Sequence, residues 1–507
     1  MRGKAPLDPW TLPLHHTMHI PLVINVVARI LLVVSLTMLW PLGWAVFEDP
    51  GSLETRAFIF SILVSVVIGG GGVGLLRKFL PVPSRDYDVI SAKDGLSIVG
   101  LSWISISLIG ALPFYFSGVI PSYPDAFFET VSGFTTTGAT VLTRIEGLPP
   151  GILFWRSLTH WLGGMGIIVL SVALLPAIGR GAYRLYSAEA PGPSAERLRP
   201  TVKETAITLW SVYFLLSLLE TLLLMLGGMP LFDALCHTFG TMATGGFSTR
   251  NASIAAYGVY IQWIITLFMF LAGCSFILHF QALRGKVLVY FRSEEFRVYL
   301  GLFLLLIPLF TGVLLLSGMA AGERAFRQAC FQVVSILTTT GYTTADFNLW
   351  PSFLKIFLIL LMFVGGCAGS TGGGMKVIRV YVALKSGFKS IIRSLLPNVV
   401  LPLKVDSKPV PEAYVVNAGA YFIIYIFLFG LGTVVMTFTD GADLVTAFSA
   451  SVACLSNIGP GLGEVGAAQN YAWISSAGKW FLSFLMLAGR LELYAILILF
   501  VPAAWRR

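Results

Sequence analysis

Charged residues are scarce in this sequence. Asp, Glu, Lys and Arg make up 12% of its 507 residues, where soluble domains carry about 25%. With 56% hydrophobic residues and a mean hydropathy of +0.82, that scarcity excludes a soluble globular domain. Cysteine is sparse too. Cys236, Cys274, Cys330, Cys367 and Cys454 fall far apart inside apolar segments, without metal-ligand spacing. They read as small packing residues, and no disulfide framework is expected. Catalytic sets are missing as well. No H-E-x-x-H or G-x-S-x-G stands in a suitable context. His160, His237 and His279 are each alone in a different part of the chain. An enzyme is not expected.

What the chain has in quantity is apolar runs. Many are long enough to cross a hydrocarbon layer of about 30 Å as helices. The first begins near Pro21, after a polar stretch containing His15, His16 and His19. Those histidines read as solvated rather than as a metal site. The run has no small-residue cleavage site and more spans follow, so it is expected to be a retained helix. The net charge of +9 could suggest nucleic acid, but its placement argues against that partner. Of 34 Lys and Arg, 24 fall in the termini and alternate loops, chiefly Arg77 to Lys93, Arg180 to Lys203, Arg284 to Arg297 and Lys376 to Lys408. That is the positive-inside bias of a polytopic membrane protein. Two spans come first, roughly 21–47 and 57–80. The second contains Gly69-Gly70-Gly71-Gly72-Val73-Gly74, a formal G-x-G-x-x-G. It lies in an apolar span followed by Arg77-Lys78, not in a strand–turn–helix unit, and points to close helix packing.

From residue 95 a unit recurs: span, short loop, Thr/Gly string, span, basic loop. The copies cover about 95–178, 203–283, 296–384 and 411–503. The strings align on Gly138, Gly246, Gly341 and Gly459, and twelve residues before each glycine stands an alanine: Ala126, Ala234, Ala329 and Ala447. This is an internal repeat with room for a helical hairpin per unit. The stretch before each glycine reads as a helix of about eight residues, spanning roughly 12 Å. Asp125 and Asp233 are its expected N-caps in the first two units. A half-helix followed by irregular backbone is tolerated in a membrane only where it lines a cavity or is buried by protein. The fold expected is therefore all-α. Four tandem helix–pore-loop–helix units surround a pseudo-four-fold central pore, preceded by two N-terminal transmembrane helices. The division is 1–94, 95–202, 203–295, 296–410 and 411–507. Ten spans would put both termini, with Arg2, Lys4, Arg506 and Arg507, on the cytoplasmic side.

Thr/Gly strings suit a cation filter. Backbone carbonyls can replace an ion's water shell, and glycine permits the φ/ψ that turns them inward. None of the four strings contains Asp or Glu, so a carboxylate ring is not expected. The C-terminal ends of four half-helices would add partial negative charge.

At these residues the sequence resembles the Trk/Ktr/HKT cation transporter superfamily, and within it the membrane subunits of Trk potassium uptake systems (the TrkH, TrkG and TrkI class). The strings that carry the resemblance are Gly133-Phe134-Thr135-Thr136-Thr137-Gly138-Ala139-Thr140, Gly245-Gly246-Phe247-Ser248-Thr249, Thr338-Thr339-Thr340-Gly341-Tyr342-Thr343 and Ser456-Asn457-Ile458-Gly459-Pro460. His160-Trp161-Leu162-Gly163-Gly164-Met165-Gly166, Gly365 through Lys376 and Gly489-Arg490-Leu491-Glu492 add to them.

The resemblance implies a K⁺ filter of Thr136, Thr137 and Gly138, with Thr244, Gly245 and Gly246, Thr339, Thr340 and Gly341, and Asn457, Ile458 and Gly459. Gly246 rather than Gly245 keeps the register. Some plant relatives with Ser at the first filter glycine pass Na⁺, so Gly138 favours K⁺; a Na⁺-permeable or weakly selective relative is the alternative. The fourth string lacks the Thr run, which leaves its role less regular. The third inner helix is broken at 365–375, where Gly365, Gly366, Gly369, Gly372, Gly373 and Gly374 disfavour helix. The family places a gating loop here and Arg490 in the pore; Arg490 could instead pair with Glu492 or Glu220. The implied partners are a second copy of the chain, membrane lipid and a cytosolic ring protein that binds NAD(H) and ATP or ADP. Lys385, Lys389, Arg393, Lys404 and Lys408 are candidates for its docking surface. K⁺ is the implied ion, without an organic cofactor, and the bacterial inner membrane the implied location.

Overall fold

The computed structural model describes residues 18–80, 91–166, 202–396, 399 and 401–505. His15, His16, the charged termini, Arg180 to Arg199 and the continuation of the first unit beyond Gly166 lie outside the described residues. The described chain is built of helices. Its one strand pairing is a two-residue hairpin, Lys404–Val405 against Lys408–Pro409.

Helices α1 (Ile20–Thr37) and α2 (Leu39–Glu48) form the first span, and α3 (Leu53–Phe79) the second. Ser52 caps α3 by accepting from the Thr55 N–H. Glu54 in the first turn and Arg77 and Lys78 in the last complement the helix dipole. The glycine run of α3 is two-faced. A Cβ on Gly69 would run into the Ala28 carbonyl and Leu32, and one on Gly72 would press on Ala28, whereas Gly70, Gly71 and Gly74 face open space. Close packing on α1 therefore explains two of these five glycines. Asp94 joins this pair to the first unit. It completes a capping box with Ser91 at the start of α4 (Ala92–Gly110) and accepts from the His19 N–H at 3.0 Å. His19 thus ties to α4 while its side chain stays half-exposed.

The first unit continues with α5 (Tyr123–Phe134) and α6 (Pro150–Gly164). The second comprises α7 (Val202–Leu226), α8 (Leu231–Met242), α9 (Val259–Ala272) and α10 (Phe276–Leu283). The third comprises α11 (Glu294–Leu316), α12 (Gly322–Leu337), α13 (Ser352–Val364) and α14 (Val377–Leu395). The fourth comprises α15 (Glu412–Asp440), α16 (Leu444–Leu455), α17 (Ser476–Arg490) and α18 (Tyr494–Leu497). The short helices α5, α8, α12 and α16 carry Ala126, Ala234, Ala329 and Ala447, all fully buried.

Two expectations need correction. The short helices have 12, 12, 16 and 12 residues, not about eight, because each begins before its alanine. They still span only about 18–24 Å, less than a hydrocarbon layer. Asp125 and Asp233 are not N-caps. Ser122 and Pro230 hold those positions, and the two aspartates sit in the first helical turn. Their carboxylates reach outward instead, Asp125 to Lys479 at 2.8 Å and Asp233 to the Thr249 hydroxyl at 2.7 Å. The aspartate that does cap is Asp443, on α16. Among the described residues the inner helices of the second and fourth units are interrupted as well as that of the third. α6 ends at Gly164, α9 and α10 meet at 101°, and α17 stops at Arg490 before Glu492 and Leu493 take positive φ. With those helices in pieces of 13–15 residues, six described helices are long and apolar enough to cross a membrane, or seven with the bent pair.

The glycine faces of α3 give a direct test. Gly69→Leu should lower the melting temperature of the detergent-purified protein by several degrees, since overpacking costs about 1–3 kcal/mol. Gly70→Leu should leave it unchanged. Equal effects would show that α3 does not pack on α1 through this face.

Candidate functional site

Each short helix ends four residues before its aligned glycine, and each ends alike. The residue two before the glycine takes the left-handed conformation: Thr136 (φ 54°), Thr244 (57°), Thr339 (62°) and Asn457 (57°). The N–H of the next residue then closes back on the helix: Thr137 to the Ser132 carbonyl at 2.8 Å, Gly245 to Gly240 at 2.7 Å, Thr340 to Ser335 at 2.8 Å and Ile458 to Ala453 at 2.9 Å. This is the hydrogen bonding of a Schellman ending, whose left-handed residue is normally glycine. Threonine or asparagine there costs about 1–3 kcal/mol each and persists only where the surroundings dictate it. The aligned glycines follow with φ of 82°, 81°, 80° and 95°. Gly246, not Gly245, falls in line with Gly138, Gly341 and Gly459; Gly245 stands where Thr137, Thr340 and Ile458 stand.

The four loops meet in cyclic order. A Cβ on Gly138 would collide with the Gly245 carbonyl oxygen, one on Gly246 with that of Thr340, one on Gly341 with that of Ile458, and one on Gly459 with that of Thr137. The last contact returns to the first loop and closes a ring. All four glycines line one cavity, about 530 Å³ including its open mouth, together with Thr140, Arg156, Ser248, Thr343, Pro460 and Tyr471. Each loop contributes three carbonyls, from the left-handed residue through the glycine, twelve in all. Eleven accept no hydrogen bond from the described residues; the exception is Gly459. Well over nine in ten buried backbone carbonyls find a donor, so this concentration sets the ring apart. The Thr136 hydroxyl and the Asn457 side-chain carbonyl are also buried without a partner.

Struts hold the loops in place, and they share a register. Nine residues before the glycines stand Glu129, His237, Gln332 and Ala450. Glu129 accepts from the Thr140 hydroxyl and the Val141 N–H, both at 2.9 Å, and from Arg156 Nε at 2.7 Å. Arg156 also donates to the Ser248 carbonyl at 3.0 Å and lies 3.5 Å from the centre of the Phe247 ring. One buried ion pair thereby ties the first loop to the second. His237 is 3.0 Å from the Ser248 hydroxyl. Ala450 offers nothing polar, and its neighbour Ser449 bonds both the N–H and the carbonyl of Leu462. The Glu129–Arg156 pair escaped the sequence reading. Two opposite charges in apolar segments, Glu129 in register with His237, were the available signal.

The glycine-rich loop between α13 and α14 lies against the opposite end of the ring. Gly365, Gly369 and Gly374 have φ of 79°, 73° and 71°. Gly366 is pressed against Gly273, Gly372 against the Thr338 carbonyl and Gly373 against that of Ser456. The Gly373 N–H donates to the Thr339 hydroxyl at 2.6 Å, and the Thr371 hydroxyl to the Met242 carbonyl at 2.9 Å. Lys376 folds back on the Gly372 carbonyl. Arg490 completes the assembly. It donates to the Thr371 carbonyl at 2.6 Å and to the carbonyls of Gly163 and Gly164 at 2.6 and 2.8 Å. It does not pair with Glu492, which is bound by Arg379. The structure thus brings the residues expected for the filter and the gate into two adjacent groups, a ring and a loop at its base.

Losing one member of the Glu129–Arg156 pair leaves a buried charge uncompensated, at a cost of about 3–5 kcal/mol. Arg156→Ala should therefore lower the melting temperature markedly. Adding Glu129→Gln should recover part of the loss. An unchanged melting temperature for Arg156→Ala would remove the strut from this account.

The profile of the TrkH family, described as a cation transport protein, matches residues 66–507. The Trk system potassium uptake protein TrkH of Salmonella typhimurium is 41% identical over 496 residues, 96% of this chain and 100% of that protein. The Trk system potassium uptake protein TrkG of Escherichia coli is 33% identical over 502 residues, 97% of this chain and 100% of that one. The crystal structure of the potassium transporter TrkH from Vibrio parahaemolyticus superposes with a TM-score of 0.85 at 37% identity, covering 96% of this chain and 100% of that one. The chain belongs to the TrkH family of cation transport proteins: it is a multi-pass membrane transporter, not an enzyme.

Proposed function

We propose that this protein takes up K⁺ across the bacterial inner membrane, with the ring as its selectivity filter. The observation that carries the reading is the closed cycle of four loops with eleven carbonyls that accept no hydrogen bond from the described residues. Such oxygens replace the water shell of a cation. The C-terminal ends of α5, α8, α12 and α16 stand at the base of the ring and favour positive charge there. The filter residues are those from Thr136 to Gly138, Thr244 to Gly246, Thr339 to Gly341 and Asn457 to Gly459. Relatives bearing the name of potassium uptake proteins, and glycine at position 138, support K⁺ as the ion. One observation favours the alternative of a weakly selective or Na⁺-permeable transporter: the fourth loop has Asn457 and Ile458 where the first and third have two threonines.

The loop 365–374 and Arg490 form the gate in this reading. The loop occupies the base of the ring, and a fixed guanidinium in the path raises a barrier to cations. Control comes from a separate cytosolic ring protein that binds NAD(H) and ATP or ADP, and the transporter acts as a homodimer. Lys385 is already engaged by Glu294 at 2.7 Å. Docking therefore falls on Lys389, Arg393, Lys404 and Lys408, with both chain termini on the same cytoplasmic face. The division at 94/95, 202/203, 295/296 and 410/411 follows the four units.

Flux into liposomes holding the purified protein tests the reading. With an inside-negative potential, K⁺ and Rb⁺ should enter and Na⁺ should lag. Arg490→Ala, which releases three carbonyls, should raise basal Rb⁺ flux about tenfold or more, as should shortening the loop 365–374. Absence of K⁺ and Rb⁺ flux with the loop shortened and the partner supplied would overturn the filter. Unchanged basal flux in both variants would overturn the gate alone.

A further inference from the structure

The ring has one unequal member. Tyr471 lies twelve residues after Gly459, in the segment before α17, and is buried. Its hydroxyl donates to the Gly459 carbonyl at 2.7 Å, and its backbone N–H donates to the Thr140 carbonyl at 2.8 Å. Its ring lies beside Phe128 of α5, with centroids 5.6 Å apart. One residue thereby fastens the fourth loop to the first, where the end of the chain meets its beginning. Every other junction has a polar fastening, but none of those touches a ring carbonyl. Arg156 reaches the Ser248 carbonyl, the Tyr342 hydroxyl reaches those of His237 and Phe247, and Asn348 exchanges hydrogen bonds with Gly463. The carbonyls of Gly138, Gly246 and Gly341 accept nothing from the described residues.

We propose that Tyr471 is a selectivity-positioning residue, whose hydroxyl tethers the Gly459 carbonyl and keeps the outermost ring of oxygens from closing on the smaller cation. The inference rests on the filter reading above and extends it. A carbonyl oxygen has two lone pairs. The hydroxyl occupies one and holds the oxygen at a fixed position. A ligand so weakened and fixed cannot draw inward around Na⁺, whereas K⁺ needs no such contraction. Selectivity in such filters depends on the size of the ring and on the field strength of its carbonyls, and the tether acts on both. It falls on the one loop whose left-handed residue is asparagine rather than threonine.

The test is the ratio of Rb⁺ to Na⁺ uptake by the full-length protein in liposomes. A ratio does not depend on how much protein folds. Tyr471→Phe keeps the ring and removes only the hydroxyl, a loss worth about a three- to tenfold fall in the ratio. Tyr471→Leu should fall as far, and Tyr471→His, which keeps a donor, should lie closer to the wild type. If the donor-less variants conduct with the wild-type ratio, the proposal fails while the filter reading stands. If they reach the membrane folded but conduct neither ion, Tyr471 is structural and the proposal fails. If the wild type itself passes no K⁺ or Rb⁺, the filter reading fails first. Should Tyr471→Phe not accumulate, the order of Tyr471→His and Tyr471→Leu decides.

Discussion

A carbonyl that accepts nothing from the protein is uncommon, and eleven of them, counted against the described residues, gather in one ring. Much of the surrounding structure is a means of keeping them there. Strands or helices would pair such oxygens with N–H groups, so the chain must stop its helices and leave regular structure at once. It does so four times by the same route, a left-handed residue followed by a glycine of positive φ. The route is strained at Thr136, Thr244, Thr339 and Asn457. The strain persists because neighbouring loops leave no room to relax. Each glycine lies against the carbonyl of the next loop, where a side chain would not fit.

The four copies solve one mechanical problem with different chemistry. Each ascending segment must be held against its short helix, and the side chain nine residues before the glycine is placed to do it. Glutamate, histidine and glutamine take that place in the first three units. Alanine cannot, so Ser449 serves in the fourth. The junctions between units differ as well: a buried ion pair at the first, a tyrosine hydroxyl at the second, an asparagine at the third and Tyr471 at the last. A four-fold backbone is thus carried by side chains with no four-fold symmetry. On the filter reading, an ion meets equivalent backbone positions held by unequal side chains.

The ring was largely legible in the sequence. Glycine in register four times over fixes the backbone, and the spacing to Ala126, Ala234, Ala329 and Ala447 fixes the helices before it. The caps were less legible, because aspartate suits both an N-cap and a first turn, and only the chain's path through Ser122 and Pro230 separates the two. The helix breaks were nearly silent. Gly365 to Gly374 announces itself by composition, whereas Leu491, Glu492 and Leu493 read as ordinary helix formers. There the turn is imposed by packing and by the pairing of Glu492 with Arg379. Tyr471 gave no signal, since nothing in sequence links it to a glycine twelve residues away.

The loop at the base of the ring is held by all four units, which limits how it can move. Arg490 of the fourth unit joins Thr371 of the third to Gly163 and Gly164 of the first, and Thr371 also bonds Met242 of the second. No single unit can release the loop while the others keep their bonds. These four bonds are donated by the Arg490 guanidinium and the Thr371 hydroxyl, and three of them end on backbone carbonyls at the ends of α6 and α8. The loop lies beside the breaks where α9 meets α10, α13 meets α14 and α17 meets α18. The same interruptions that shorten the inner helices thus gather around this loop, and the bond from Gly373 to Thr339 joins it to the third loop of the ring.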